Sequence, residues 1–400
     1  MSSNSADAAN VVVGQQLFVA EVSAARERIP GDAEWSALAA NALEPNPFFE
    51  SWALREALAS FGKDDVLLMT IRRQPADGSP GELVGLLPLR RKRMRGIGPT
   101  LLESWIHPEC YLGVPLVDRR DAVPIVAAMI AALTTSTLAR LHMLYSDGPV
   151  AQLLMREAEH TRVETVAVGR YSRAFCDTRA AHDANAYVEA NISHKHRKEI
   201  RRQTSRLRDL GAVAVVEAKS AEDMQHWIAE FTALEHAGWK GQESASVSSS
   251  GLVQNYFNAL CEAAWNAGRL QLLTLRCANR TVAMKCNLIA FPGAFAYKIT
   301  YDEAYAKYSP GTLLELANLE RLYALAPHIC WMDSCASRRR FLVDRMWGQR
   351  RSMETLLLAR SASVHALIAH LFPLVIWLRN RFRRKYDEQN DHEIRSRSAV

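Results

Sequence analysis

The sequence predicts a mixed α/β protein of the α+β type, built from two tandem lobes. Each lobe is expected to be a mixed sheet flanked by helices, and a C-terminal helix follows. The chain has 400 residues, of which 48% are hydrophobic, and single cores stop growing well below this length, so two domains are expected. Both halves also share one order of elements: a helix, antiparallel strands, a loop, and then alternating helices and strands. Such an order predicts an antiparallel meander that leads into a βαβ unit.

The first half is predicted to open with a helix over residues 47–61. Phe48 and Trp52 fall near helical spacing there, and Gly62 supplies a stop. Turn residues are dense over 74–81, which predicts a hairpin on either side of them. The elements predicted after the first helix are strands over 66–71 and 83–89, a helix over 122–133, a strand over 141–145, and a helix and a strand between 149 and 168.

The second half repeats this order. Its predicted elements are helices over 221–237 and 252–267, strands over 270–277, 281–290 and 294–301, a helix over 310–325, a strand over 329–332, a helix over 341–346 and a strand over 352–358. No self-similarity of the letters accompanies the repeat. An ancient duplication is therefore an inference from the order of elements alone.

The domain boundaries follow from this order. We expect a flexible N-terminus over residues 1–20, a first lobe over 21–180, a second lobe over 181–360, and an apolar and basic helix and tail over 361–400. The first residues lack the basic start and apolar core of a secretory signal, so we expect a cytoplasmic protein. The seven cysteines are scattered without a C-x-x-C pair, so we expect reduced thiols and no metal.

The sharpest local feature is a predicted strand-to-helix segment over residues 297–312. Ser309 suits an N-cap, Pro310 suits the first helical position, and Gly311 allows a ligand to approach the backbone closely. A helix that begins this way directs free N–H groups and the positive end of its dipole toward the loop. An anionic group such as a pyrophosphate would be held there, although the same residues would also serve a helix cap without a ligand.

The most basic segment is a predicted helix over 194–208. It contains seven Lys or Arg residues and one acidic residue, Glu199, with a thin apolar stripe from Ile200 and Leu207. A helix of this charge attracts phosphate, whether on a nucleotide, on CoA, on a lipid headgroup or on RNA. It could instead be a solvated helix that links the lobes. No aromatic set for base stacking is interleaved with the cations, so the sequence does not predict a nucleic-acid partner.

Several segments of the second half together resemble a known family. They are the basic run 194–203 with Leu207 and Gly211, then Gly238-Trp-Lys-Gly241, Tyr301-Asp-Glu-Ala-Tyr305, Tyr308-Ser-Pro-Gly311 and Trp347. They look like the acetyltransferase domain of CelD-type proteins in the GNAT superfamily, which are relatives of the Fem peptidoglycan aminoacyltransferases. The resemblance covers about residues 180–360 closely and 45–170 in layout only.

The resemblance implies two tandem GNAT-like lobes, with acyl-CoA (acetyl-CoA or longer) as the co-substrate. It also implies that the CoA pyrophosphate lies at the loop before the helix over 310–325. We accordingly assign binding of the donor to Ser309, Gly311, Thr312, Leu313 and Lys298.

Acyl transfer needs a base for the nucleophile, a hydrogen-bond donor for the thioester oxygen and an acid for the leaving thiolate. We predict Asp302 as the base and Tyr301 or Tyr308 as the acid. Backbone N–H groups of the strand over 294–301 would polarise the thioester carbonyl.

A polar face is predicted on the two strands that precede this loop. If residues 292–293 form a tight turn, Lys285 and Asn287 share one face with Lys298 and Thr300. Polar clusters inside a lobe are costly unless they are used or paired, so we assign Asn287 to the substrate. The alternative is a solvated face on which Lys298 and Asp302 form a surface pair.

Three further residues are predicted to contact the acceptor. Trp239 and Lys240 lie between two glycines in a loop, and such loops often bind ligands. The alternative is a Trp that packs on the edge of the lobe beside a solvated lysine. Asp333 lies at the end of a predicted strand, and active sites often lie at the carboxyl ends of parallel strands. It could instead cap the next helix.

The C-terminal region carries an apolar segment over 364–378 and a basic run over 379–385. The apolar segment is too short to span a bilayer. It could lie against the anionic inner face of a membrane, as a peripheral contact, or dock on the protein as a terminal helix.

The sequence therefore predicts an acyl-CoA-dependent acyltransferase, similar to N-acetyltransferases, whose acceptor is a small molecule or a glycan- or lipid-linked compound. The resemblance points to an envelope or exopolysaccharide precursor. Two alternatives stay open: a Fem-like transferase that uses aminoacyl-tRNA, and a non-catalytic binding protein with the GNAT fold. The first lobe has no counterpart of residues 308–311, so we expect it to shape the acceptor cleft. P-loop, nucleophile-elbow and H-E-x-x-H motifs are absent from the sequence.

Overall fold

The computed structural model describes residues 7–13, 16–63, 65–77, 79–93, 100–237, 250–336 and 345–360. The strands of the first half are β1 (Asp7–Val13), β2 (Gln16–Ala24), β3 (Val66–Gln74), β4 (Glu82–Arg93), β5 (Thr100–Ser104), β6 (Leu116–Val117), β7 (Leu138–Tyr145) and β8 (Glu164–Asp177). Its helices are α1 (Asp32–Ala40), α2 (Ser51–Phe61), α3 (Ala122–Leu133) and α4 (Pro149–His160).

The helices of the second half are α5 (Ala184–Asn191), α6 (His194–Arg208), α7 (Ala221–Ala237), α8 (Ser250–Asn266) and α9 (Pro310–Ala324). Its strands are β9 (Val213–Glu217), β10 (Leu270–Cys277), β11 (Arg280–Ala290), β12 (Gly293–Tyr301), β13 (Trp331–Asp333) and β14 (Gln349–Ala359). A 3₁₀ helix, Glu303–Tyr308, joins β12 to α9.

The described strands form one mixed sheet of 14 strands in the order β1-β2-β3-β4-β5-β7-β14-β8-β13-β12-β11-β10-β9, with β6 paired to β4. In each half, an antiparallel meander ends in one parallel pair, β5 with β7 in the first and β12 with β13 in the second. The predicted mixed α/β fold with two lobes of one layout is therefore confirmed.

The two lobes exchange their last strands. β8, from the first half, pairs with β13 of the second half. β14, from the second half, pairs with β7 of the first half and also with β8. The middle of the sheet therefore contains strands from both halves. The predicted boundary after residue 180 follows β8, a strand of the first half that is hydrogen-bonded to strands of the second.

Within residues 1–20, which the sequence analysis expects to be flexible, the described residues contain β1 and the start of β2. The sequence pattern indicates the second strand, because buried and more exposed residues alternate along β2 and the buried ones include Phe18, Ala20 and Val22. α3 packs against both strands. The short strand β9 was also not predicted, and it extends the meander of the second half beside β10.

Two hydrophobic cores position the site. The larger core includes Phe48 of the first half with Phe257 and Tyr297 of the second. The smaller core holds α6 and α9 through Leu207 and Leu314. Alternate residues of β10 and β11 enter one core or the other, so this part of the sheet separates α7 and α8 from α6 and α9.

None of the helices in the described ranges has the length and apolar character needed to cross a bilayer. The predicted C-terminal helix and tail over 361–400 lie outside the described residues, as do residues 341–344 of the predicted short helix.

Candidate functional site

The loop between β12 and α9 begins the site. Pro310 is the first residue of α9, as predicted, and Ser309 precedes it with a left-handed backbone (φ 51°, ψ 52°). Few residues other than glycine adopt this conformation without cost, and it often marks functional loops. The Ser309 side chain does not cap the helix. The Ser309 backbone carbonyl accepts from the N–H groups of Thr312 and Leu313 at 2.9 and 3.2 Å, and Ser309 lines the cavity described next.

A cavity of about 980 Å³ lies between α6 and the start of α9. α9 contributes Thr312 and the preceding Ser309, while α6 and the residue before it contribute the wall opposite. The residues of this wall are Ser193, Lys195, His196, Lys198, Glu199, Arg202 and Gln203, and Arg345 completes the lining. Because these α6 residues recur at helical spacing, one face of the helix is turned toward the cavity.

The cavity is positively charged. Its lining holds Lys195, Lys198, Arg202 and Arg345 against one carboxylate, Glu199. Glu199 is paired with Arg202 at 2.8 Å, while Lys195 and Lys198 have no salt-bridge partner in the parts of the chain that the structure describes. The basic helix predicted over 194–208 thus exists, and part of its charge faces the predicted pyrophosphate loop.

The residues predicted to bind the donor divide into three groups. Ser309 and Thr312 line the cavity. Gly311 and Leu313 are buried on the inner side of α9. Lys298 lies on the opposite face of the sheet, where its Nζ is 2.9 Å from Glu109 Oε2.

The predicted polar face is wrong in its register. Lys285 and Asn287 were expected beside Lys298 and Thr300, but β12 carries an extra residue where Cys286 faces Lys298 and Asn287 faces Ala296. One inserted residue reverses which side chains share a face, because side chains alternate with a period of two. Lys298 and Thr300 therefore lie beside Cys286 and Met284.

Lys285 and Asn287 instead form a buried network beneath α9. Lys285 Nζ donates to Glu315 Oε2 at 2.8 Å, and both residues are buried. Asn318 donates to Glu315 at 2.9 Å, and Asn287 donates to Asn318 at 2.7 Å. The network fastens α9 to the sheet, so Asn287, predicted to contact substrate, has a structural partner on this helix.

The bulge in β12 creates a second polar cluster, on the side of α7 and α8. Tyr297 and Lys298 both reach Glu109, a residue of the first lobe between β5 and β6. The Tyr297 hydroxyl lies 3.3 Å and the Tyr111 hydroxyl 3.5 Å from Glu109 Oε2, in addition to the Lys298 contact. The side chains of Glu109 and Lys298 are only 12% and 16% exposed, so this pair lies between the lobes with limited contact to water.

Glu109 is not among the residues predicted from the sequence. The signal was a carboxylate within the largely apolar run Trp105-Ile-His-Pro-Glu-Cys-Tyr-Leu112. His107 from the same run is buried, and neither ring nitrogen has a partner in the described structure. Burial lowers the pKa of His107 to about 3, so this imidazole is neutral at physiological pH.

The parallel pairing of β12 and β13 is short. It runs from Gly293 and Trp331 to Phe295 and Asp333, and the bulge opposite Cys286 and Asn287 begins directly after it. β12 thus parts from β13 at the point where Lys298 and Glu109 meet.

Asp333, predicted as an acceptor contact or a helix cap, forms a buried ion pair. Its Oδ2 accepts from Arg173 Nη2 and from the Tyr145 hydroxyl, both at 2.7 Å. Its Oδ1 accepts from the Cys335 N–H at 2.8 Å. Burial, followed by the Asp333 charge, raises the pKa of Tyr145, so the tyrosine stays a donor. Asp333 thus joins β13 to β7 and β8.

The predicted catalytic residues lie around the end of β12. Asp302 accepts from the Ala304 N–H at 2.9 Å and so begins the 3₁₀ helix. Tyr301 packs at the edge of the smaller core, and burial raises its pKa. Tyr308 is buried in that core, with the Arg206 guanidinium 5.7 Å from its ring centre. The structure thus places both tyrosines on the cavity side of the sheet.

Trp239 and Lys240 lie outside the described residues, in the segment between α7 and α8. Their contact with an acceptor stays a prediction. In the described ranges, no group of three or more His, Cys, Asp or Glu residues could hold a metal ion.

Comparison with known proteins gives a partial match. Residues 194–331 match the family described as "Acetyltransferase (GNAT) domain". This stretch begins with α6 and includes the cavity loop, so the second lobe has a GNAT-type acyltransferase fold. The sequence matches no curated protein.

Solved structures of similar fold cover most of the chain. The crystal structure of FemX is 9% identical with a TM-score of 0.54, over 82% of this chain and 96% of that one. A conserved protein of unknown function from Bacteroides thetaiotaomicron is 10% identical with a TM-score of 0.53, over 83% and 98% of the two chains. The C-terminal domain of a putative lysylphosphatidylglycerol synthetase from Agrobacterium fabrum is 11% identical with a TM-score of 0.50, over 85% and 95%. At these identities the likeness is one of fold.

Proposed function

We propose that this protein is an acyltransferase that moves an acyl group from acyl-CoA to an amine or hydroxyl acceptor. The observation that carries the proposal is the positively charged cavity between α6 and the start of α9, within the stretch that matches the GNAT domain. An acceptor from envelope or exopolysaccharide synthesis follows from the resemblance to CelD-type proteins and belongs to the proposal as well.

The donor's phosphates would bind in the cavity. The first turn of α9 directs the positive end of the helix dipole toward it. Pro310 has no N–H, and the N–H groups of Thr312 and Leu313 are bonded to Ser309. The backbone therefore offers fewer donors than a helix start without proline. The cations of α6 would replace those donors, with Lys198 and Arg202 facing Ser309 and Thr312 across the cavity.

The chemistry would take place where β12 parts from β13. The acyl carbonyl would lie at the bulge, where backbone N–H groups are released from regular pairing. We assign the general base to Glu109, because it lies at the bulge beside Lys298. Asp302 instead accepts from the Ala304 N–H and holds the start of the 3₁₀ helix.

The proposed step balances as follows. Glu109 takes a proton from the acceptor amine or hydroxyl, and the freed lone pair attacks the thioester carbon. The carbon–sulfur bond breaks, and the CoA thiolate takes a proton from Tyr301, on the cavity side of the strand. Trp239 and Lys240 stay proposed contacts of the acceptor, since they lie in the sequence between α7 and α8, and these two helices pack on the side of Glu109.

A thermal stability measurement tests the donor. A ligand that binds only the folded state raises the melting temperature. Millimolar acetyl-CoA or a longer acyl-CoA should stabilise the wild type by several degrees, and the Lys198→Ala/Arg202→Ala variant much less. Absence of a shift with every CoA ester would overturn the proposal.

One observation favours a second candidate. α6 carries cations beyond those that line the cavity, among them the exposed Arg201 and Arg208, and such a surface could engage aminoacyl-tRNA. RNA extracted from the purified protein, together with no response to acyl-CoA, would support a Fem-like transferase. Neither RNA nor a response would support a non-catalytic binding protein.

A further inference from the structure

The cavity between α6 and α9 has two cationic ends. At one end, Arg202 lies on the same side of α6 as the turn where Arg206 covers Tyr308, so this end adjoins Ser309 and the start of α9. At the other end, Lys195 lies in the first turn of α6. The segment that carries Arg345 reaches this end, because the Gly348 backbone lies against the Asn191 side chain and donates to Tyr187 at 3.1 Å.

The two ends are too far apart for one compact anion. Lys195 and Arg202 are seven residues apart in a helix, which is about 10 Å along its axis. The helix start of α9 provides a phosphate site at only one of them. A ligand that satisfies both ends must therefore carry phosphates at two separate places.

The charge of the cavity supports the same conclusion. Four cationic side chains face one carboxylate, an excess of three positive charges without counting His196. A diphosphate linkage alone would leave the Lys195 end without a counter-charge. A phosphomonoester carries about −1.5 to −2 at pH 7 and offers three acceptor oxygens, which suits an end lined by a lysine and an arginine.

We propose that the end formed by Lys195 and Arg345 is a subsite for the 3′-phosphate of the CoA adenosine, while the diphosphate lies at Arg202, Ser309 and Thr312. This inference rests on the proposed function and deepens it. The protein would then select free acyl-CoA over donors that have the same thioester arm without the 3′-phosphate.

Calorimetric titration with CoA and with 3′-dephospho-CoA, at one fixed salt concentration, tests the subsite. The wild type should bind CoA about tenfold more tightly or better. Lys195→Ala should reduce this preference to about threefold or less, with little change for 3′-dephospho-CoA. Arg202→Ala, which removes the same charge from the same cavity, should weaken both ligands alike and keep the preference.

Arg208→Ala is the control, since Arg208 is exposed on α6 and does not line the cavity. Equal affinity of the wild type for the two ligands would overturn the subsite and leave the proposed function intact. A preference that survives in Lys195→Ala would also overturn it. If neither ligand binds, the proposed function fails together with the subsite.

Discussion

At the residue scale, the candidate site depends on polar side chains that are held in apolar surroundings. Lys285 and Glu315 are 2% and 0% exposed and form an ion pair at 2.8 Å beneath α9. Asn318 and Asn287 extend the pair into a network. Because the network attaches α9 to the sheet, it fixes the helix start that faces the cavity.

Removal of one partner from this pair should destabilise the protein strongly. We expect Lys285→Met to lower the free energy of unfolding by about 3–5 kcal/mol, because Glu315 would be left as an unpaired buried charge. Urea denaturation followed by circular dichroism measures the change. Lys219→Met, at an exposed lysine, is the control and should have little effect. A loss as small as that of the control would show that Glu315 gains no stability from Lys285.

The proposed assignment of the base to Glu109 is tested by single substitutions. Glu109→Gln keeps the shape of the side chain and removes the proton acceptor, so kcat should fall by about 10²-fold or more. Binding of acetyl-CoA should change little, because Glu109 and the cavity lie on opposite faces of the sheet. Asp302→Asn is the matched comparison and should lower kcat much less. The reverse pattern would assign the base to Asp302.

At the scale of elements, one carboxylate connects a loop, a helix and an exchanged strand. Glu44, in the loop after α1, accepts from the Val150 N–H at 3.0 Å at the start of α4. It also lies 3.1 Å from Arg351 of β14. Burial raises the pKa of Glu44 to about 7, against the opposing effect of the Arg351 charge.

This shift predicts a dependence of stability on pH. Because the pKa is raised in the folded state, the contribution of Glu44 is present below its unfolded pKa and is lost as the pH rises through about 7. Relative to Glu44→Gln, the wild type should lose roughly 2–3 kcal/mol of unfolding free energy between pH 5 and pH 8. Urea denaturation of both proteins at the two pH values measures the difference. A difference that stays constant with pH, or one that favours the wild type at pH 8, would contradict the raised pKa.

At the scale of the whole molecule, the exchange of β8 and β14 makes the lobes interdependent. β13 has β8 as its antiparallel neighbour, and β14 has β7 and β8 as its two neighbours. Each lobe therefore completes its sheet with a strand of the other. The buried Arg173–Asp333 pair, at 2.7 Å, joins β8 to β13 through their side chains.

We expect that a fragment of residues 181–360 does not fold alone, because β13 and β14 would lose these partners and expose unpaired edges. The full chain should unfold in one cooperative transition when urea is raised. Near-ultraviolet circular dichroism of the fragment checks the expectation. Native-like signals with cooperative unfolding would show that the second lobe is autonomous.

Much of the layout follows from sequence patterns, because helices and strands of the second half bury one face with a regular period. α7 and β10, over 221–237 and 270–277, have the predicted bounds. The exchange of β8 and β14 could not be predicted, since the residue pattern of each strand is the same whichever lobe provides its neighbouring strands. The bulge at Tyr297 was equally hidden, and this single residue moved Lys298 to the face of Glu109. Residues far apart in the chain then meet, as Glu109 and Lys298 do, which no local pattern reports.

We propose above all that acyl-CoA binds between α6 and the start of α9. Hydrogen–deuterium exchange of the whole protein, with and without acetyl-CoA, tests this binding site most directly, because the exchange rates report both whether the ligand binds and which segments it protects. We expect new protection in peptides that cover residues 194–203 and 309–314, with little change in α3 and α4. Protection confined to the first lobe, or none at saturating acetyl-CoA, would contradict it.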